Sequence, residues 1–169
     1  MVCDICGARM KARKATARKP YPYALGGLKD VCLVGITVHH CPECGSEIPA
    51  IPRPEELHDV IAEHLAMTPR PLHGPEVRFL RKHVGMPAKT LAAILGISPE
   101  HLSRVENGRT RTLGAAADRL VRIVTRKRAT TQEARDLIER VALGAARPST
   151  HEPAPARFML KADHWRAAA

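Results

Sequence analysis

The sequence predicts an α+β protein in two parts, a small N-terminal β domain built on four cysteines and an all-α domain after it. Three observations predict it. Cys3-Asp-Ile-Cys6-Gly7 and Cys41-Pro-Glu-Cys44-Gly45 are two matched C-x-x-C-G units. Between them apolar residues alternate at period two, the repeat of a strand. From Glu55 onward they recur at i, i+3 and i+4, the repeat of a helix. The boundaries that follow are 1–54 for the β domain, 55–74 for a helix and proline-rich hinge, 75–147 for the all-α domain, and 148–169 for a tail.

A chain of 169 residues suits one domain or two small ones. Its formal charge of +10 and pI near 9.9 point to a polyanionic partner. Basicity alone licenses only non-specific nucleic-acid binding, or a basic solvated surface with no partner. The charge is uneven: residues 75–147 hold fifteen Lys/Arg against seven Asp/Glu, whereas 55–74 hold one against four. No apolar run approaches the ~20 residues of a membrane span. The start of the chain lacks the charged-then-apolar plan of a signal peptide, so a cytoplasmic location with no membrane partner is expected. There, closely spaced cysteines read as metal ligands or redox centres rather than structural disulfides. Aromatic residues are scarce, which argues against a binder that stacks single-stranded bases.

The first element is the four-cysteine site. Zinc takes four soft or borderline ligands in a tetrahedron, and four thiolates form a closed structural set. Two-residue spacing lets both thiolates of one knuckle reach the same ion, and the glycine after each pair lets the chain turn back at φ > 0. Cys3, Cys6, Cys41 and Cys44 are therefore the expected ligands of one structural Zn2+ per chain, on a zinc-ribbon-like β domain. The 34 intervening residues exceed the usual spacing, so strands must bring the knuckles together. Residues 11–19 read as a solvent-facing basic strand. Residues 29–40 read as a clearer one, with Cys32, Val34, Ile36 and Val38 on one apolar face. That makes Cys32 a small buried hydrophobe outside the metal site. His39 and His40 adjoin the second knuckle as ordinary strand-end residues or spare ligands. A thiol oxidoreductase is the competing reading of C-x-x-C. It requires a strand before the pair and a helix after it, a context neither copy has. Four thiolates also leave no open position for a catalytic water.

Pro49, Pro52 and Pro54 end the sheet, because proline cannot donate to a ladder. Glu55-Glu56 opens an amphipathic helix with Leu57, Ile61 and Leu65 in its stripe. Thr68-Pro-Arg-Pro-Leu-His-Gly-Pro75 is the expected hinge. Val77, Leu80 and Val84 then form the buried face of the next helix.

Residues 87–108 read as two short helices joined by a tight turn. Leu91, Ala92 and Leu95 mark the first, and Leu102 and Val105 the second. Gly96 closes the first helix, and Ser98-Pro99 caps and starts the second. These are the ingredients of a helix-turn-helix, whose second helix enters the major groove. They are equally those of an αα-hairpin in a helical bundle. In the DNA-binding reading Arg104 pairs with guanine, Glu100 accepts from a cytosine amino group, and His101 donates to a purine edge. Lys89, Ser98, Ser103, Asn107, Arg109 and Arg111 anchor phosphates. Arg109 and Arg111 also suit a solvated loop. A helix over 113–127, with Ala116, Ala117, Leu120 and Val124 inward, and another over 131–143 complete the domain. Either supplies a homodimer interface or core. The tail, with its prolines and terminal alanines, is expected to lack structure, with Phe158-Met-Leu and Trp165 as a docking segment otherwise. No convergent acid, base and nucleophile set is present, so no enzyme is expected.

Leu91-Ala92, Gly96-Ile97-Ser98 and Ser103-Arg104-Val105-Glu106-Asn107-Gly108 resemble the Cro/repressor-type (XRE) helix-turn-helix. Most members carry Ser/Thr-Gln where Pro87-Ala88 stands here, so one DNA contact is missing or passes to Lys89. The cysteine pairs, Tyr23-Ala-Leu-Gly-Gly-Leu28, and Val34-Gly-Ile-Thr-Val-His-His-Cys41-Pro-Glu-Cys44-Gly45 resemble a YgiT-type zinc finger. The two motifs in this order are similar to MqsA-type antitoxins. The resemblance implies a structural zinc domain that contacts a ribonuclease toxin, and a dimeric C-terminal domain that represses its own operon on double-stranded operator DNA. It also implies that Glu100 replaces a base-reading asparagine of that family while Arg104 keeps its arginine, so the operator differs. Stand-alone regulation without a toxin fits the same plan.

Overall fold

The computed structural model describes residues 1–24, 27–110, 112–126 and 155–168. Arg111 and the helix expected over 131–143 lie outside the described residues. The contacts divide the chain into two compact units, Met1–Leu25 with Lys29–Val60 and Ala154–Ala169, and Gly26–Leu28 with Ile61–Pro153.

The first unit holds β1 (Lys11–Lys14), β2 (Tyr21–Pro22), β3 (Val31–Val34), β4 (Thr37–His40) and β5 (Glu47–Ala50). β1, β4 and β5 form an antiparallel sheet in that order. The strand expected over 29–40 is two strands, because Gly35 bends the chain at φ +89°, a conformation open mainly to glycine. The bend sends β3 into a different sheet and resets the alternation. Val31, Leu33, Val34, Ile36 and Val38 are buried, and Cys32 is only half-buried, which corrects its expected place on the apolar face.

The expected unstructured tail is corrected too. Ala156–Lys161 is β6 and His164–Ala167 is β7, joined through Ala162 and Asp163, both at positive φ as a type I′ hairpin turn requires. The second sheet runs β2-β3-β6-β7, with β6 parallel to β3. Phe158 and Trp165 are buried, and the Trp165 indole N–H donates to the Pro52 carbonyl at 2.8 Å. Tyr23 is buried as well, its hydroxyl 2.6 Å from His58 Nε2.

The division between units falls inside α1 (Pro54–Met67), whose Leu57, Ile61 and Leu65 are buried as the stripe predicts. The second unit continues with α2 (Gly74–His83), α3 (Ala88–Leu95), α4 (Pro99–Glu106) and α5 (Ala115–Val124). α4 packs on α2 and α3, and α5 on both of those. Three of these helices end alike. Gly85, Gly96 and Gly108 take φ of 68°, 65° and 71°. Each is followed by a residue whose N–H reaches back five positions, to Arg81, Ala92 and Arg104 carbonyls at 3.0, 3.0 and 2.8 Å. These are Schellman closures, which satisfy carbonyls the helix itself leaves orphaned.

Three expectations fail here. The hinge over 68–75 lies within the second unit and is bonded to it: the Leu72 N–H donates to Asp118 at 2.7 Å, and Arg122 donates to the Thr68 and Arg70 carbonyls. On α5, Ala116 is exposed and Ala117, Leu120 and Val124 are half-buried, while Asp118, Val121 and Arg122 are buried. A buried ion pair, not the alanine–leucine stripe, faces the interior. On α2, Val77 and Leu80 are buried as expected, but Phe79 is buried in place of Val84, which sits at the helix end half-exposed.

Candidate metal centre and nucleic-acid interface

The two cysteine knuckles are built alike. The Cys3 N–H donates to the Ala8 carbonyl and the Cys41 N–H to the Ser46 carbonyl, each at 2.9 Å. The Gly7 and Gly45 N–H groups donate back to the Cys3 and Cys41 carbonyls at 2.9 and 3.0 Å. Gly7 and Gly45 sit at φ +75° and +72°, the turn-back that the C-x-x-C-G spacing predicts. Pairing of β1 with β4, and of β4 with β5, brings the knuckles together.

All four sulfurs then lie within 4.8 Å of one another. Cys3 and Cys44 are 3.5 Å apart, and Cys6 and Cys41 are 3.4 Å apart. A tetrahedron with Zn–S bonds of about 2.3 Å has edges of about 3.8 Å, so the donor set fits one four-coordinate ion. Cys3 and Cys41 are buried, and Cys6 and Cys44 face solvent. The Ser46 hydroxyl lies 3.3 Å from the sulfurs of both Cys3 and Cys44. It holds the Cys3 thiol down to about 6, with help from the Cys6 and Ile5 backbone N–H groups, and lowers Cys44 as well. Cys6 runs the other way: the Ala8 N–H favours its thiolate, yet the Cys41 sulfur and desolvation push it up to about 12. Four sulfurs this close cannot all ionise without a cation among them, and a bound cation deprotonates its thiol ligands outright. Ser46 is the residue that sequence reasoning missed; serine two places after Cys44 was the available signal. His39, His40 and Cys32 are not part of the cluster.

On the helix pair, Gly96 closes α3, and Ser98 caps α4 by accepting the His101 N–H at 3.1 Å. Glu100, Ser103 and Arg104 are exposed on α4, and His101 is half-buried. Pro99, Glu100, Ser103 and Arg104 line an open depression, and Arg109 joins them from beyond the helix. Arg109 is placed there by its own N–H bond to the Arg104 carbonyl. The Glu100 carboxyl is held below its usual range by its own backbone N–H, the Ser98 hydroxyl and the Arg104 charge. An acid in the first turn of a helix is also favoured by the helix dipole. Lys89 lies exposed at the start of α3, outside this depression. Asn107 spends its amide on Ser103, donating to its carbonyl at 2.8 Å and its hydroxyl at 3.3 Å. Glu106, the acidic residue of the Glu-Asn-Gly motif, is buried and structural. It receives Arg81 through two bonds of 2.7 and 2.8 Å and so ties α2 to α4.

A family model described as the antitoxin component of a bacterial toxin–antitoxin system, MqsA, matches residues 1–135. No curated protein and no solved structure matches the chain.

Proposed function

The chain belongs to the MqsA antitoxin family, and on that premise we propose that it is a sequence-specific DNA-binding transcriptional regulator that represses its own operon. In this reading α3 and α4 form an XRE-type helix-turn-helix, with α4 in the major groove of double-stranded operator DNA. Arg104 pairs with guanine, Glu100 accepts from a cytosine amino group, and His101 supplies a further donor. Ser98, Ser103, Lys89, Arg109 and Arg111 contact phosphates and fix the register. Asn107 contributes less than the sequence suggests, since its amide is already engaged within α4. The observation that carries the reading is the convergence of Glu100, Ser103, Arg104 and Arg109 on one open depression at the exposed face of α4.

Cys3, Cys6, Cys41 and Cys44 would hold one structural Zn2+, which supplies folding energy and no chemistry. Leu120 and Val124, left half-exposed on α5, supply apolar surface for a homodimer, which would present two α4 helices to half-sites about one DNA turn apart. No helix among the described residues is long and apolar enough to cross a membrane, in keeping with a protein that works on cytoplasmic DNA. The family is regulatory rather than enzymatic, and the reading assigns no catalysis.

The family match favours a second reading, an antitoxin proper that neutralises a cognate ribonuclease toxin through its metal domain. The two are compatible, and the DNA reading is tested first. Full-length protein titrated against the duplex upstream of its own gene should bind far more tightly than against a scrambled duplex. The affinity should fall steeply with salt. Equal affinity for both duplexes would defeat it.

A further inference from the structure

The C-terminal hairpin lies beyond the residues that match the family, and its fit to the metal-bearing unit is close. β6 runs parallel to β3 in the register Val31↔Ala156, Cys32↔Arg157, Leu33↔Phe158 and Val34↔Met159. The Ala156 N–H extends the ladder to the Asp30 carbonyl at 2.8 Å. Leu33 and Phe158, directly paired, are both fully buried. At Gly35 a side chain would stand 2.6 Å from the Leu160 carbonyl, so this glycine leaves room for β6 as well as making the bend. The hairpin is fastened at its tip, by Trp165 on the Pro52 carbonyl, Asp163 on Arg53 at 3.2 Å, and His164 on Glu56 at 3.0 Å.

Without β6, one edge of β3 would be bare, while the other keeps β2 and the Tyr23 N–H bond to the Val31 carbonyl. β2 is two residues long and one of them is Pro22. A strand with unpaired N–H and C=O groups and a buried apolar face is a template for another strand. We propose that β3 is a strand-accepting edge and that the chain's own C-terminal hairpin fills it in cis, closing the metal-bearing unit to any partner that binds by adding a strand there. The acceptor takes an extended segment that pairs in parallel with β3 and buries an aromatic residue opposite Leu33, as Phe158 does. A protein partner using this edge has to displace the hairpin, so its apparent affinity is scaled by the fraction of chains with the hairpin open. That last consequence rests on the reading that this unit meets a protein partner; the occluded edge itself does not.

The test uses full-length protein and a fluorescent synthetic peptide with the sequence of residues 155–168. Wild type should bind the peptide weakly, because its own hairpin competes at very high effective concentration. Phe158→Ala and Trp165→Ala, with their metal content unchanged, should bind it on the order of tenfold more tightly or better. Variants that keep their metal and bind the peptide no more tightly than wild type would overturn the proposal. Should both variants lose the metal, amide hydrogen exchange of the wild type decides. β6 and β7 amides exchanging faster than those of β1 and β4 support a hairpin that opens by itself, and equal rates overturn it. DNA affinity recorded on the same samples keeps the two readings apart, since its absence leaves the peptide result standing.

Discussion

Asp118 holds Arg122 with one carboxylate oxygen, at 2.8 Å from Nε, and receives the Leu72 backbone N–H on the other at 2.7 Å. Arg122 is fully buried and spends its remaining donors on main-chain carbonyls of Leu65, Ala66, Thr68 and Arg70, at 2.6–3.2 Å. One side chain thus satisfies the orphan carbonyls at the end of α1 and the polar backbone of the proline-rich segment after it. This welds down a stretch whose composition reads as a hinge.

Removing Arg122 strands a buried carboxylate and several buried carbonyls. Arg122→Met is predicted to cost about 3–5 kcal/mol in denaturant unfolding of the helical unit. Arg122→Lys should recover little, since an ammonium cannot reproduce the planar fork of donors.

Gly74 opens α2 against α4, and a Cβ there would stand 1.8 Å from the Val105 carbonyl oxygen. Gly74→Ala is therefore predicted to destabilise the unit far more than Gly96→Ala, which meets nothing within 4 Å. The latter costs about 1 kcal/mol for its left-handed backbone. Thermal midpoints of the two variants, read by helical circular dichroism, provide the comparison.

His64 is held below its usual value of 6.5 by burial and by the Arg70 charge, with Glu76 opposing. The folded chain thus keeps it neutral where the unfolded chain takes a proton. Its stability contribution is full above about 6.5 and is lost as pH falls from there through the lower folded value. Denaturation midpoints measured from pH 7.5 down to 5 should fall less in His64→Gln than in wild type.

The legible and illegible parts of this fold differ in range. Cysteine spacing, glycine positions and the Ser98-Pro99 cap act within a few residues, and the four-cysteine cluster and the α3–α4 pair were read from them. The stripe of α1 was legible for the same reason. Arg122 was not, because beyond Asp118 its partners are carbonyls 52 to 57 positions away and carry no sequence signature. Cys32 was misplaced because the chain breaks at Gly35 into two strands of different sheets, so the period-two repeat does not run back from Ile36 and Val38 to Cys32. Phe158 and Trp165 were discounted because their proline-rich surroundings look unstructured, while the strand they complete lies some 125 residues earlier. In the helical unit, Glu106 looked like part of a recognition motif; its partner Arg81 shows it as a brace.

Metal removal should act on the first unit alone. Purified protein is predicted to carry about one zinc per chain, and Cys44→Ser to lose it at lower chelator concentration. Chelation should deprotect the amides of β1, β4 and β5 in hydrogen exchange while the helical circular dichroism of the second unit persists. Metal-free protein with those amides still protected would contradict a structural ion.

A helix α4 that reads DNA sequence shows itself in selection from a random duplex library. Wild type should enrich one motif containing G·C pairs. Arg104→Ala should lose preference at one of them, worth about 1–3 kcal/mol of discrimination. Arg109→Ala should keep the motif, bind every sequence more weakly and lower the salt slope by about one. No enriched motif for wild type, or the same uniform loss for both variants, would mean that α4 does not read sequence.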